Sequence, residues 1–339
     1  MTAGIIFRTN NNTKRNPKRK ILSDLDTLPL PAWDLINITP YKEAWQKSSG
    51  YFSINMNTTR GCPFHCNWCA KPIYGNRYNS RSPGHVISEI KLLKQQFEFD
   101  HIWFCDDIFG LKPGWVNDFA DLVEKEKINI RFKIQSRVDL LLKENNIASL
   151  ARAGCETAWV GAESGSQKIL DAMDKGTTVE QIYEATALLK KYNIKPAFFL
   201  QFGYPGETKE DIDATIKMVM DLMPHDIGVS VSYPLPGTKF YEKVKEQLKE
   251  KSNWKDSDEL TLMFKNTYAS GFYKELHRFL HKSYRTKQGL AELKDIFVNP
   301  SNISAASLKR IAAVPFHMTG KYFHQRKMKE SEIQISNEL

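Results

Sequence analysis

The sequence predicts an α/β protein: a partial (β/α)6 TIM-like barrel with an extended N-terminal linker and a C-terminal helical region. Three observations predict it. Between about residues 51 and 250, short apolar runs rich in β-branched and aromatic residues alternate with segments of helical period. Six such pairs follow one another, which demands parallel pairing with right-handed crossovers. Chemistry-bearing residues then fall just after the strands, where sheets of this kind bind ligands.

The six expected strands are YFSINMNTT, HIWFCDD, IRFKIQS, TAWVGAES, KPAFFLQFG and DIGVSVSYP. The helical segments between and after them run near 84–98, 113–126, 139–152, 166–173 with 178–192, 208–222 and 238–249. Residues 1–50 read as an extended linker: Pro29 and Pro31 disfavour a helix, and Leu28, Leu30, Trp33 and Leu35 supply its packing contacts. After residue 250 the alternation stops. Residues 264–288 and 304–326 read as helices around a turn at Asn299 and Pro300, and KESEIQISNEL reads as a frayed end. The expected division is 1–50 linker, 51–250 core and 251–339 helical region.

Bulk properties bound the function. The chain has 339 residues, 41% hydrophobic and 26% charged, enough to bury a substantial core. No apolar run reaches the roughly 18 residues of a membrane span. The N-terminus has its basic residues after the short apolar stretch, unlike a signal peptide, so the expected location is the cytoplasm. The net charge is +9, but much of the excess lies towards the ends, at Lys14, Arg15, Lys18, Arg19 and Lys20 and at Arg326, Lys327 and Lys329. These read as solvated tails rather than a nucleic-acid surface.

The five cysteines are an odd number in a cytosolic chain, which argues against a disulfide framework. Cys62, Cys66 and Cys69 fall within eight residues, in TTRGCPFHCNWCAKP directly after the first strand. Three thiolates from one short loop can hold three irons of a cubane cluster and leave the fourth open to an amine and a carboxylate. The competing reading is zinc, with His65, Cys105 or Cys155 as a fourth ligand; the adjacency of His65 to Cys66 makes joint ligation awkward. Cys105 and Cys155 otherwise read as core residues. His277 and His281 have ligand-compatible helical spacing, with nothing nearby to complete a site.

The Cys-x3-Cys-x2-Cys loop, with Trp68 before its third cysteine, resembles the defining motif of the radical S-adenosylmethionine (SAM) superfamily. The resemblance covers roughly residues 1–250. It implies a 4Fe–4S cluster on Cys62, Cys66 and Cys69, SAM on the open iron, and reductive cleavage to a 5′-deoxyadenosyl radical. It also implies a one-electron donor such as flavodoxin or ferredoxin and a small-molecule substrate. Asp106 and Asp107 end the second strand where relatives touch the SAM amino group, and a carboxylate there would make a charge-assisted hydrogen bond; either could instead cap the helix expected near Pro113. Arg137 ends the third strand and would meet a carboxylate, on SAM or on Asp139. Glu163, in GAESGS, resembles a residue that contacts the amino acid or ribose of SAM, with Ser166 as a helix cap. Gly203 and Tyr204, in FGYPGET, match the stretch that lies along the adenine, ahead of a helix start at Thr208, Glu207 and Asp211. Tyr233, Pro234 and Pro236 would wall the site or form a rigid turn.

RGCPFHCNWCAKP, FCDDIF, GAESGS, GYPGET and PLPGT together are similar to the cobalamin-associated branch, which includes anaerobic magnesium-protoporphyrin monomethyl ester cyclase and cobalamin-dependent methyltransferases. Residues 3–35 look like the tail and linker of the cobalamin domain in that branch. Such a domain needs about a hundred residues upstream, and neither it nor the Asp-x-His-x-x-Gly signature stands in this sequence. The expectation is a truncated or split product, with cobalamin available only through a partner. Two other readings stand beside catalysis of this type: tRNA modification, which would need an additional cluster domain, and a non-catalytic cluster-binding protein.

Overall fold

The computed structural model describes residues 2–71, 73–248, 260 and 262–338. Its centre is an all-parallel six-stranded sheet. The strands are β3 (Ser53–Met56), β6 (His101–Phe104), β7 (Phe132–Ser136), β8 (Cys155–Glu163), β9 (Lys195–Phe202) and β10 (Asp226–Val231), and each pairs only with its neighbours in chain order. The sheet is open, with β3 and β10 at its edges. This is the partial barrel the alternation predicts.

The helices cover one side of the sheet. α2 (Pro83–Gln96) starts at Ser82, whose hydroxyl accepts from the His85 amide. α3 (Trp115–Lys125), α4 (Val138–Leu141), α5 (Asn146–Arg152), α6 (Gln167–Ala172), α7 (Val179–Lys191), α8 (Lys209–Leu222) and α9 (Lys239–Val244) follow the successive strands. Ile102, Phe104, Ile134, Val160 and Phe198 are fully buried beneath them, alternate residues on one face as the strand period requires. The expected helix at 139–152 is split, because Glu144 and Asn145 adopt positive φ. α7 opens with a capping box from Thr178 and Gln181. Thr208 and Asp211 do the same for α8, the Thr208 amide donating to Asp211 at 2.9 Å. Ser166 does not cap α6; its hydroxyl donates to Asp211 at 2.7 Å instead.

The N-terminal segment is more structured than an extended linker. β1 (Ile6–Thr9) and β2 (Asn12–Arg15) form an exposed hairpin. Asn10 and Asn11 turn it at positive φ, a conformation Asn tolerates well. α1 (Thr39–Ser49) ends the segment at Gly50. Leu25 and Trp33 anchor it, the latter through an indole N–H donated to Glu89 at 3.0 Å. Leu35 is 81% exposed and anchors nothing. At the other end, α10 (Ser270–Val298), α11 (Ala305–Ala312) and α12 (Val314–Glu338) form the helical region, with a short 3-10 turn at Pro300–Asn302. The backbone of KESEIQISNEL continues α12 as far as Glu338 rather than fraying.

Candidate metal and cofactor site

The cysteine loop leaves the sheet at the end of β3, and a buried carboxylate pins its root. Asp106 accepts from the Thr58 amide at 2.7 Å, the Thr58 hydroxyl at 2.5 Å and the Thr59 amide at 2.8 Å. Burial pushes its carboxyl up to about 6, against the downward pull of those donors. β4 (Thr59–Arg60) then pairs with β5 (Asn79–Ser80) to close the base of the loop. Gly61 has φ +84, and a Cβ there would lie 2.3 Å from the Arg77 carbonyl oxygen. No other residue fits that turn without moving the backbone.

Cys62, Cys66 and Cys69 are free, partly exposed thiols on the wall of one cavity of about 420 Å³. Trp68, Asp107, Arg137 and Glu163 line the same cavity. Seven of the expected site residues therefore converge, although they come from four strand ends. Burial raises the thiols of Cys62 and Cys69, while the Lys71 ammonium pulls both back. Lys71 also donates to the Phe64 carbonyl and to Asn76, which folds the loop on itself. The donor set fits an iron–sulfur cubane: three soft thiol ligands beside two cationic side chains and open space. His65 turns to Asn76, 3.1 Å away, rather than joining the cysteines. Among the described residues, no three His, Cys, Asp or Glu side chains gather as a single-ion site requires, His277 and His281 included.

Arg137 braces the loop. Its guanidinium pairs with Asp139 at 2.9 Å, stacks on the Phe64 ring at 3.7 Å and reaches to 3.8 Å from Cys66 Sγ. Asp139 is one of the two carboxylates the sequence offered it. Glu163 stands at a register irregularity between β8 and β9 with φ +57, a strained conformation of the kind that concentrates at functional sites. Its carboxylate meets Lys175 at 2.7 Å, and both side chains are less than a tenth exposed. Sequence reasoning missed Lys175, which follows α6 in a turn without a motif and reaches the site only through the fold. Replacing Lys175 with Met should destabilise the protein by about 3–5 kcal/mol by stranding a buried carboxylate. Adding Glu163→Gln should recover most of that loss in urea unfolding.

Asp106, Gly203, Tyr204 and Tyr233 stand elsewhere than in the cavity wall. Asp106 is the loop's anchor, and neither it nor Asp107 caps α3, which begins at Trp115 after Gly114. Tyr204 points into the interior, stacks on Phe240 and hydrogen-bonds Asn67 of the cysteine loop at 2.9 Å. It supports that loop from behind. Gly203 is covered by the helical region: its carbonyl accepts from Asn266 at 2.6 Å. Tyr233 packs against the core. A strand-end position fixes where these residues lie along the sheet, but the direction of the following loop decides which way they face. Cys155 is buried as expected, whereas Cys105 is only partly covered.

Glu207 is fully buried beside Gly203, whose amide donates to it at 2.6 Å. Burial holds its carboxyl up to about 8. A raised folded-state value means the group's stabilising contribution is present below pH 4.5 and lost as pH rises through about 8. The loss is on the order of 5 kcal/mol. Glu207→Gln should flatten this slope in denaturation series taken between pH 5 and 9.

The radical SAM superfamily model matches residues 56–219, the span from the end of β3 to α8. An uncharacterized methyltransferase of Pyrococcus horikoshii is 27% identical over 316 residues, covering 92% of this chain and 67% of its own length. The anaerobic magnesium-protoporphyrin IX monomethyl ester cyclase of Rubrivivax gelatinosus is 27% identical over 240 residues, covering 68% of this chain and 41% of its own. Among solved structures, the cobalamin-dependent S-adenosylmethionine radical enzyme OxsB with aqua-cobalamin bound superposes with a TM-score of 0.67 at 16% identity. That match covers 99% of this chain and 55% of OxsB, and it shows the fold. The chain thus spans between about two fifths and two thirds of the length of these proteins. Over residues 56–219 this chain is thus similar to the radical SAM superfamily, and a radical SAM domain implies a 4Fe–4S cluster and S-adenosylmethionine.

Proposed function

We propose that this protein cleaves SAM reductively at a 4Fe–4S cluster held by Cys62, Cys66 and Cys69, and uses the radical on a small-molecule substrate by methylation, cyclisation or another C–H functionalisation. The observation that carries this reading is the single cavity shared by three free thiols, Asp107 and the Glu163–Lys175 pair. When bound, the cluster and SAM supply the electron transfer and the radical chemistry.

The chain's own residues supply the rest. Arg137 and Lys71 offset the negative charge of three thiolates. The exposed Asp107 carboxylate meets the amino group of SAM, and Glu163, held by Lys175, orients its amino acid or ribose hydroxyls. Asp106 and Tyr204 hold the loop in place, so the ligands are ordered before the metal arrives. The sheet's concave side shields the reaction from water.

On this reading residues 51–250 are the catalytic core, in the cytoplasm, with residues 1–50 and 251–339 flanking it. An electron donor such as flavodoxin or ferredoxin serves the cluster, and cobalamin, which a solved structure of this fold binds, is a candidate further cofactor. The test is anaerobic reconstitution followed by iron analysis and incubation with SAM and dithionite. The expected product is 5′-deoxyadenosine. A fully loaded cluster that yields neither 5′-deoxyadenosine nor methyl transfer would defeat the proposal.

A further inference from the structure

The concave face of the sheet carries a second arrangement below the cysteine loop. Register places Trp103 of β6 opposite Lys133 of β7, Gln135 opposite Trp159 of β8, and Gly161 opposite Phe199 of β9. Residues paired across a sheet point to the same side, and alternate residues along a strand do too. All six therefore share the face opposite the helix-covered core. Gln135, Trp159, Gly161 and Phe199 line the cavity itself.

Two features of this face call for a ligand. Trp159 and Phe199 stack with ring centroids 4.7 Å apart and planes 28° apart, and Phe199 is still 37% exposed. Gly228 on the next strand makes room for them, since a Cβ there would touch both rings. The result is a stacked aromatic pair at the cavity wall, with a ring face left for a further ring to stack on. One step further from the cysteines, the Lys133 ammonium lies 3.6 Å from the centre of the Trp103 ring. Desolvation holds its pKa below the ordinary lysine value, and no carboxylate among the described residues pairs with it. Among the described residues the buried Trp103 indole N–H has no acceptor either. A partly buried cation and an orphaned donor both lack an anion.

Building on the proposed activity, we infer that the substrate is a flat conjugated ring system bearing a carboxylate arm, its ring stacked against the Trp159–Phe199 pair and its carboxylate on Lys133. The row order sets the orientation. Gly161 and Glu163 lie toward the cysteine loop and Lys133 lies away from it, so the reacting carbon is on the part of the ring remote from the acid. Lys133 stands two residues before Gln135, which places it about 7 Å from the aromatic pair along the strand. A short flexible arm spans that distance.

Three probes separate the elements: 1-pyrenebutyrate, 1-pyrenebutanol and cyclohexanebutyrate, titrated anaerobically into the reconstituted protein by calorimetry. Pyrenebutyrate should bind about tenfold tighter than either of the others. Lys133→Met should abolish the preference for the acid over the alcohol while keeping the alcohol's affinity. Trp159→Ala should weaken both pyrenes about tenfold and leave cyclohexanebutyrate unchanged. Iron content and circular dichroism matching the parent protein confirm that each variant is folded and loaded. Equal affinity for acid and alcohol in the parent, an unchanged ratio in Lys133→Met, or no binding of any probe would overturn the inference. Formation of 5′-deoxyadenosine is read separately, so failure here with SAM cleavage intact leaves the proposed activity standing.

Discussion

Replacing Cys66 with Ala is expected to reduce bound iron to a small residue and 5′-deoxyadenosine formation to background. Two thiolates cannot retain a cubane whose fourth iron has no protein ligand. The substitution also removes the sulfur nearest Arg137, which then faces no anionic ligand in the loop. The fold should survive, because Cys66 is partly exposed and contributes nothing to the main core. Iron analysis, the visible absorbance of the reconstituted protein and far-ultraviolet circular dichroism check the three statements together. Cys105→Ala and Cys155→Ala should keep the full iron complement. An iron content that falls equally for all five cysteines would remove the loop's special status.

The second large effect is on stability. Asp106→Ala should cost about 3–5 kcal/mol in urea unfolding, because it leaves the Thr58 and Thr59 amides and the Thr58 hydroxyl buried without their acceptor. It should also lower cluster retention, since those two residues root the cysteine loop. Asp106→Asn separates shape from charge. An amide oxygen can still accept from the backbone, and the Thr58 hydroxyl can turn to accept from the amide nitrogen. Asn is therefore expected to recover more than half of the stability and most of the iron. If Ala and Asn behave alike, the carboxylate's charge and not its hydrogen bonding holds the loop.

These two residues mark how far the sequence could be read. Cys66 announced itself, because three closely spaced cysteines carry their chemistry in the spacing alone. Asp106 was visible as an acid at a strand end, but its direction was not. Its neighbour Asp107 faces the cavity while Asp106 faces inward, as adjacent residues in an extended segment do. The same ambiguity hid the direction of the Tyr204 phenol, which hydrogen-bonds Asn67 of the cysteine loop. The N-terminal hairpin was hidden by its short strands: the apolar start of β1 and the polar β2 are exposed on both faces and show no alternation to read.

The sequence by itself determined the strand–helix order, the parallel partial barrel, the position of the cysteine loop and the class of cluster proposed for it. Those follow from periodicity, from crossover handedness and from ligand spacing, all of which are local. The tertiary structure alone decided that Lys175 closes on Glu163, that Arg137 pairs with Asp139 beside Cys66, and that Trp103, Lys133, Trp159 and Phe199 share one face. Each depends on strand register or on the path of a loop, and contacts between residues distant in sequence set both.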